Sequence, residues 1–237
     1  MDHWYKLIEQ SRELSESILK ELDEVGFIII PGPVSPDQVL ELAAAYDSAV
    51  LNAHPSDVSV GRSTTRVNDF VNRGELFDDL YIFAPLLEAC CRTIRQPFKL
   101  STMHARTVRP FVEAQDLHVD FRSDENGWPM VGFILMVDEF RDDNGATRFV
   151  ANSHRMVVTN SELPRDEVLA LGPAGSMVIY NGSIWHGHTA NRTDQPRRSI
   201  QGAFIRRDPE QAVKQSARAQ LDTLGRIKDL HKYLLDL

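Results

Sequence analysis

Apolar residues recur at helical spacing near the start of the chain. Leu14, Ile18, Leu22 and Val25 fall on one side of a helix over residues 10–25. Gly26 ends it, and the unbroken run Phe27-Ile28-Ile29-Ile30 predicts a short buried strand before Pro31-Gly32-Pro33 breaks the chain. Ser35 and Pro36 have the form of a cap and a first helical residue, so a second helix is expected over 36–52. Residues 52–73 are polar and without a period, which predicts a long irregular loop; such loops in a compact domain tend to be functional or disordered. Helical spacing returns over 76–95. After Pro97 the texture changes to strands, over 98–109, 116–122, 131–138, 147–150, 175–181 and 198–206. Turn clusters such as Ser123-Asp124-Glu125-Asn126-Gly127 and Asp142-Asp143-Asn144-Gly145 separate them. Antiparallel strands at such intervals predict a sandwich or jelly roll. The charged tail carries Leu221, Leu224, Ile227, Leu230 and Leu234, which predicts a terminal helix packed on the barrel or on a second subunit. One domain is expected over 1–237, with a helix-rich part (1–97), a β core (98–206) and a C-terminal helix (207–237).

Composition narrows the function classes. A chain of 237 residues is long enough for one sizeable core, and 42% hydrophobic with 25% charged residues is ordinary for a globular protein. The net charge of -8 argues against a nucleic-acid partner, which calls for a basic face. No apolar run approaches membrane-spanning length, and Met1-Asp2-His3-Trp4 does not open a secretory signal. Cys90 and Cys91 are adjacent and ill-placed to bridge each other, so they read as buried thiols in a reducing cytoplasm.

The chemistry begins at Leu117-His118-Val119-Asp120-Phe121. On a strand, positions i and i+2 share a face, so His118 and Asp120 project together while Leu117, Val119 and Phe121 turn to apolar packing. An imidazole and a carboxylate side by side are two-thirds of the two-histidine, one-carboxylate facial triad of non-haem iron(II) oxygenases. Trp185-His186-Gly187-His188 follows the strand-like Ser176-Met177-Val178-Ile179-Tyr180 and offers the third member. Either His186 or His188 can supply it. Arg197 follows His186 by eleven residues (197 − 186 = 11), and Ser199 shares its strand face. A guanidinium and a hydroxyl there form a clamp for a carboxylate. A triad plus a clamp is what a 2-oxoacid cosubstrate needs.

With these motifs assembled, the chain resembles the phytanoyl-CoA dioxygenase family. The resemblance rests on His118-x-Asp120, on Asp143-Asn144-Gly145-Ala146-Thr147-Arg148-Phe149-Val150-Ala151-Asn152-Ser153-His154, and on His186-Gly187-His188-Thr189-Ala190-Asn191 running into Arg197. It covers most of residues 20–206. It implies a mainly β fold with flanking helices around a double-stranded β-helix core of the jelly-roll, cupin-like kind. It implies iron(II), with 2-oxoglutarate and dioxygen as cosubstrates, bound by His118, Asp120 and His186 and by the Arg197 clamp. The implied reaction hydroxylates an unactivated C–H bond of a small organic molecule and releases succinate and CO2. Relatives that halogenate replace the carboxylate ligand by a small residue; Asp120 therefore points to hydroxylation, with desaturation and ring closure open.

Other positions follow from face alternation. One face of strand 98–109 lines the cosubstrate pocket: either the one with Met103 and Thr107, which is preferred, or the one with His104 and Arg106. His188 contacts the cosubstrate or bonds outside the site. Arg122 meets an anionic substrate or makes a salt bridge at the rim. Arg66 lies in the polar 62–70 stretch, which reads equally as a lid over the substrate or as a solvated loop, and Phe133 and Trp128 are expected in the pocket wall or the core. His154 is read as structural. The competing readings are a cupin-like metal protein without oxygenase turnover and a catalytically inactive small-molecule binder on the same fold.

Overall fold

The computed structural model describes residues 2–157, 166–207 and 219–237. The N-terminal part holds helices α1 (Asp2–Glu9), α2 (Glu16–Val25), α3 (Val39–Leu51) and α4 (Ala84–Ile94), with strands β1 (Phe27–Pro31), β2 (Val58–Val60) and β3 (Thr64–Val67). The helix expected over 10–25 begins later because the Ser15 hydroxyl accepts from the Ile18 N–H and caps it there. It ends at Gly26 with φ +94, a left-handed conformation, and a Cβ at that position would lie 2.5 Å from His154 Nδ1. The helix expected over 76–95 is shorter, since Glu75–Leu80 winds as a 3-10 helix before Pro85 opens α4.

The strands that follow are β4 (Phe98–Val108), β5 (Met130–Met136), β6 (Thr147–Val150), β7 (Glu167–Leu169), β8 (Ser176–Asn181), β9 (His186–His188) and β10 (Arg197–Arg206). Among the described residues these strands make two sheets. The large sheet runs β1-β8-β5-β10-β4-β3-β2 and the small one β7-β6-β9, all antiparallel. The two facing sheets are those of a jelly roll with flanking helices.

Central strands β5 and β8 are buried on both faces, which is why their middles are continuously apolar instead of alternating, with Ser176 and Asn181 at the ends of β8. Val131, Phe133 and Leu135 join Leu22, Tyr46 and Leu87 of the helices in one core. Ile134, Met136 and Val178 point the other way and meet Phe140 and Phe149 inside the barrel. Strands β4 and β10 carry polar groups inward. Thr102, His104 and Arg106 lie opposite Ala203, Gln201 and Ser199, while Leu100, Met103, Ala105, Ile200 and Phe204 belong to the outer core. One end of the barrel interior is therefore apolar filling and the other is a polar chamber.

The polar 52–73 stretch is more ordered than its composition suggests. β2 and β3 form a hairpin that extends the large sheet at its edge, so only Val67 of β3 is buried and the strands show no apolar alternation. The predicted C-terminal helix is instead two short ones, α5 (Leu221–Arg226) and α6 (Asp229–Leu234), because the extended, buried Ile227 divides them. They pack on their own chain, with Arg226 paired to Asp78, while 208–218 of that predicted helix lie outside the described residues. Among the described residues no helix is long and apolar enough to cross a membrane.

Candidate functional site

Residues 112–121 run antiparallel beside β9 and determine where the chemistry sits. His118 and His186 exchange both backbone hydrogen bonds at 2.9 Å, so the two histidines are a directly opposed pair. Their side chains consequently leave the same face, with ring centroids 4.5 Å apart. Two residues on, the N–H groups of Asp120 and Phe121 both donate to Gly182 O at 3.0 Å. Two donors on one carbonyl break the ladder, so the strand expected over 116–122 does not form. Leu117 and Val119 pack behind against Val150 and Trp185 as alternation predicts, but beyond the kink Phe121 turns into the cavity.

His118, Asp120 and His186 offer three donor atoms within 4.8 Å of one another. His118 Nε2 lies 3.8 Å from Asp120 Oδ1, and His186 Nε2 lies 3.6 Å from Asp120 Oδ2. Each ring is oriented from behind. His118 Nδ1 donates to Asp116 O at 3.2 Å and His186 Nδ1 to Ile184 O at 2.9 Å. That use of Nδ1–H leaves the Nε2 lone pairs directed at the same point, which is the tautomer a metal requires. Burial, and then the nearby His118, hold the His186 imidazole below its ordinary pKa while Asp120 pulls it up. The donor set thus fits a divalent cation on its own geometry.

Asp120 is held by Tyr180, whose hydroxyl donates to Oδ2 at 2.7 Å. Burial, and then the Asp120 charge, push the phenol well above its usual pKa, so it remains a donor. Gly132 lies directly across from Tyr180, and a Cβ there would sit 2.2 Å from Tyr180 Cζ. Gly132→Ala is therefore expected to cost about 1–3 kcal/mol of stability by overpacking and to weaken Fe(II) binding by displacing the hydroxyl from Asp120. Thermal unfolding and metal titration read the two effects; an alanine variant with unchanged metal affinity would detach Tyr180 from the centre.

Arg197 is almost wholly buried, 1% exposed, with its guanidinium over the Phe140 ring at 4.0 Å. It donates to Gly145 O at 2.7 Å and to Ser199 Oγ at 3.1 Å, and its Nε has no partner. Among the described residues it has no ion pair with a carboxylate. Burial, and then Arg106, lower its pKa to about 9, which still leaves it cationic at neutral pH. Its neighbour Arg198 is already committed to Asp138 and Asp47 at 2.7 Å each. His188 stands apart from the triad: Nδ1 donates to Thr189 O at 2.7 Å and Nε2 meets Ser63 Oγ at 2.8 Å.

A cavity of about 470 Å³ opens on Asp120, Tyr180 and His186. Arg66, Thr102, His104, Arg106 and Gln201 line its polar side, with Phe121 and Met130 on the other. The preferred face of β4 is corrected: Met103 lies in the outer core and Thr107 bonds Tyr46 at 2.9 Å, because β4 turns those side chains toward the helices. Phe133 is also corrected to the outer core, where it packs on Phe204. Arg122 lies over Trp185, outside the cavity lining. Arg66 reaches the cavity from β3, a strand where a loop was expected. Trp128 donates to His154 O, and His154 meets Asp23 O from beneath α2, as a structural residue does. Tyr180, Gln201 and Gln115 (which accepts from Arg106 at 2.9 Å) were not singled out from the sequence. Two-residue alternation from Ser199 would have found Gln201.

Comparison with known proteins adds the family. The phytanoyl-CoA dioxygenase (PhyH) family model matches residues 22–199. Dioxygenase FUM3 of Gibberella moniliformis is 27% identical over 210 residues, covering 77% of this chain and 69% of its own. The Fe(II)/2-oxoglutarate-dependent dioxygenase nvfF of Aspergillus novofumigatus is 25% identical over 197 residues, 74% of this chain and 66% of that protein. Among solved structures, HygX of Streptomyces hygroscopicus, with nickel and 2-oxoglutarate bound, superposes with TM-score 0.67 at 16% identity, over 82% of this chain and 88% of that one. The match to the family model runs from within α2 into β10, so the chain belongs to the phytanoyl-CoA dioxygenase family and is an iron(II)- and 2-oxoglutarate-dependent dioxygenase.

Proposed function

We propose that His118, Asp120 and His186 hold the iron(II) and that Arg197 with Ser199 receives the far carboxylate of 2-oxoglutarate. The cavity beyond then binds a small organic molecule, one of whose unactivated C–H bonds is hydroxylated as succinate and CO2 are released. The observation that carries this reading is the convergence of three donor atoms within 4.8 Å, with both imidazoles oriented by backbone carbonyls. Bound iron supplies the activation of dioxygen; the chain supplies position. Tyr180 keeps one oxygen of Asp120 in a hydrogen bond. Phe149 and Tyr180 flank His186 and shield that side of the centre from water. Arg197 offers a buried cation without a carboxylate partner among the described residues, suited to a dicarboxylate cosubstrate. The buried, free Cys90 and Cys91 suit a reducing compartment, and we place the enzyme in the cytoplasm.

Anaerobic addition of 2-oxoglutarate to the Fe(II)-loaded protein tests the assignment. The expected result is a weak visible charge-transfer band from a chelated keto acid. Iron binding without that band would remove the cosubstrate from the site.

A further inference from the structure

A ladder that starts from the opposed pair His118 and His186 would next pair Asp120 with Ile184, two residues further on. That pairing does not form. The Ile184 N–H donates to Asn181 O at 3.0 Å, closing a turn, and Ile184 O accepts from His186 Nδ1 at 2.9 Å. Both backbone groups of Ile184 are thus engaged, and the ribbon that carries Asp120 is held from the turn instead. Gly182 O takes the N–H groups of Asp120 and Phe121, and the Ser183 hydroxyl donates to Phe121 O at 2.7 Å. Two N–H groups on one carbonyl is the pattern of a β-bulge, a device that re-aims side chains beside active sites. The consequence is visible in the cavity. Consecutive residues Asp120 and Phe121 both line it, where a regular strand would turn one of them away.

The Ser183 contact differs from the others in coming from a side chain. Ser183 is 7% exposed, and its own N–H is fixed by Asn181 Oδ1 at 2.9 Å. Among the described residues Phe121 O has no second donor. We propose that Ser183 is a positioning residue for the metal centre. Through Phe121 O it locks the bulge that presents Asp120 to the cation and turns Phe121 into the substrate chamber. Ser183 is not among the cavity-lining side chains, so it acts through the ribbon and not on a ligand. The inference rests on the assignment of His118, Asp120 and His186 to iron(II). Tyr180 holds the Asp120 carboxylate, and Ser183 holds the backbone beside it. Without the hydroxyl, Phe121 O is left without a donor, the ribbon relaxes away from the turn and the carboxylate moves with it. The two imidazoles keep their own pairing, because His118 and His186 bond each other's backbone. Gly182 does not lend itself to the same test, since a Cβ there would lie 2.9 Å from Met130 Cβ.

Anaerobic titration with Fe(II), followed by 2-oxoglutarate, compares the parent chain with Ser183→Ala, Ser183→Cys and Ser183→Thr, with thermal unfolding recorded alongside. Fe(II) affinity is expected to fall about tenfold in Ser183→Ala, the lower end of what outer-shell partners of a metal site contribute. The keto-acid band should also move its maximum, because it reports the ligands around the iron. Ser183→Cys keeps the bulk with a poor donor and should lose as much; it carries the comparison if Ser183→Ala does not fold. Ser183→Thr keeps the hydroxyl and should stay within about twofold of the parent on the same scale. A variant without the hydroxyl that unfolds at lower temperature, yet binds Fe(II) as tightly as the parent with the band unmoved, makes Ser183 merely structural and overturns the proposal. Equal losses in Ser183→Thr and Ser183→Ala overturn it too, since the hydroxyl would not then be the group that acts. A parent chain that binds no Fe(II), or gives no band, counts instead against the assignment of the centre and is read before any variant.

Discussion

Replacing His186 by alanine is expected to abolish turnover and the keto-acid charge-transfer band, whereas His188→Ala keeps the band. The two histidines are two residues apart on one short strand, both buried, and composition does not distinguish them. Their nitrogens do. His186 Nδ1 donates to Ile184 O, and its Nε2 stands 3.6 Å from Asp120. Both ring nitrogens of His188 are engaged, one by Thr189 O and the other by the Ser63 hydroxyl. An imidazole so engaged would have to abandon Ser63 and swing toward a centre that already has its donors. Loss of an outer-shell partner of a metal site typically costs about 10–100-fold in affinity, and loss of a ligand itself should exceed that. Fe(II) affinity is thus expected to fall more than about 100-fold in His186→Ala, and to hold in His188→Ala. Metal titration and the visible band check both. Retention of the band in His186→Ala and its loss in His188→Ala would exchange the two roles.

The metal-ligating candidates were legible in the sequence for a reason only partly right. His118 and Asp120 do lie side by side, but on a ribbon that kinks at Gly182 instead of a regular strand, so alternation holds for Leu117 and Val119 and fails at Phe121. That Arg197 and Ser199 share a face was legible because β10 is a regular strand on which alternation holds between them. The face of β4 was not. That strand is polar toward the barrel and mixed toward the helices, and Met103 and Thr107 look like pocket residues until the outer helical layer is known to cover them. Tyr180 was hidden for a related reason. After the apolar run Met177-Val178-Ile179 it reads as core, and only the opposed Gly132 shows that space was kept for a ring whose hydroxyl reaches Asp120. The hairpin that delivers Arg66 lacks apolar alternation because an edge strand buries little.

Arg197→Met is expected to separate cosubstrate binding from stability. The substitution removes a cation that is 1% exposed and lies over Phe140, and it supplies an apolar chain of similar length. Taking one partner from a buried charge pair costs about 2–5 kcal/mol, so 2-oxoglutarate should bind roughly 30-fold to several thousand-fold more weakly at about 1.4 kcal/mol per decade. Fe(II) affinity should not change, because Arg197 makes no contact with the three donors. The fold loses two hydrogen bonds, to Gly145 O and Ser199 Oγ, each worth about 1 kcal/mol net. Against that stands the cost of holding a charge out of water without a counter-ion, which for a buried ion is several kcal/mol. The sign agrees with the pKa. Its folded value of about 9 lies well below that of an ordinary guanidinium, so the buried charge destabilises the fold in full at every pH below about 9, and the penalty fades as pH rises from there toward the ordinary value. Thermal unfolding of the cofactor-free variant at neutral pH should accordingly give a stability equal to or above that of the parent. A variant that loses more than about 2 kcal/mol, beyond what the two bonds account for, and still binds 2-oxoglutarate would make Arg197 a structural strut and move the clamp elsewhere in the barrel.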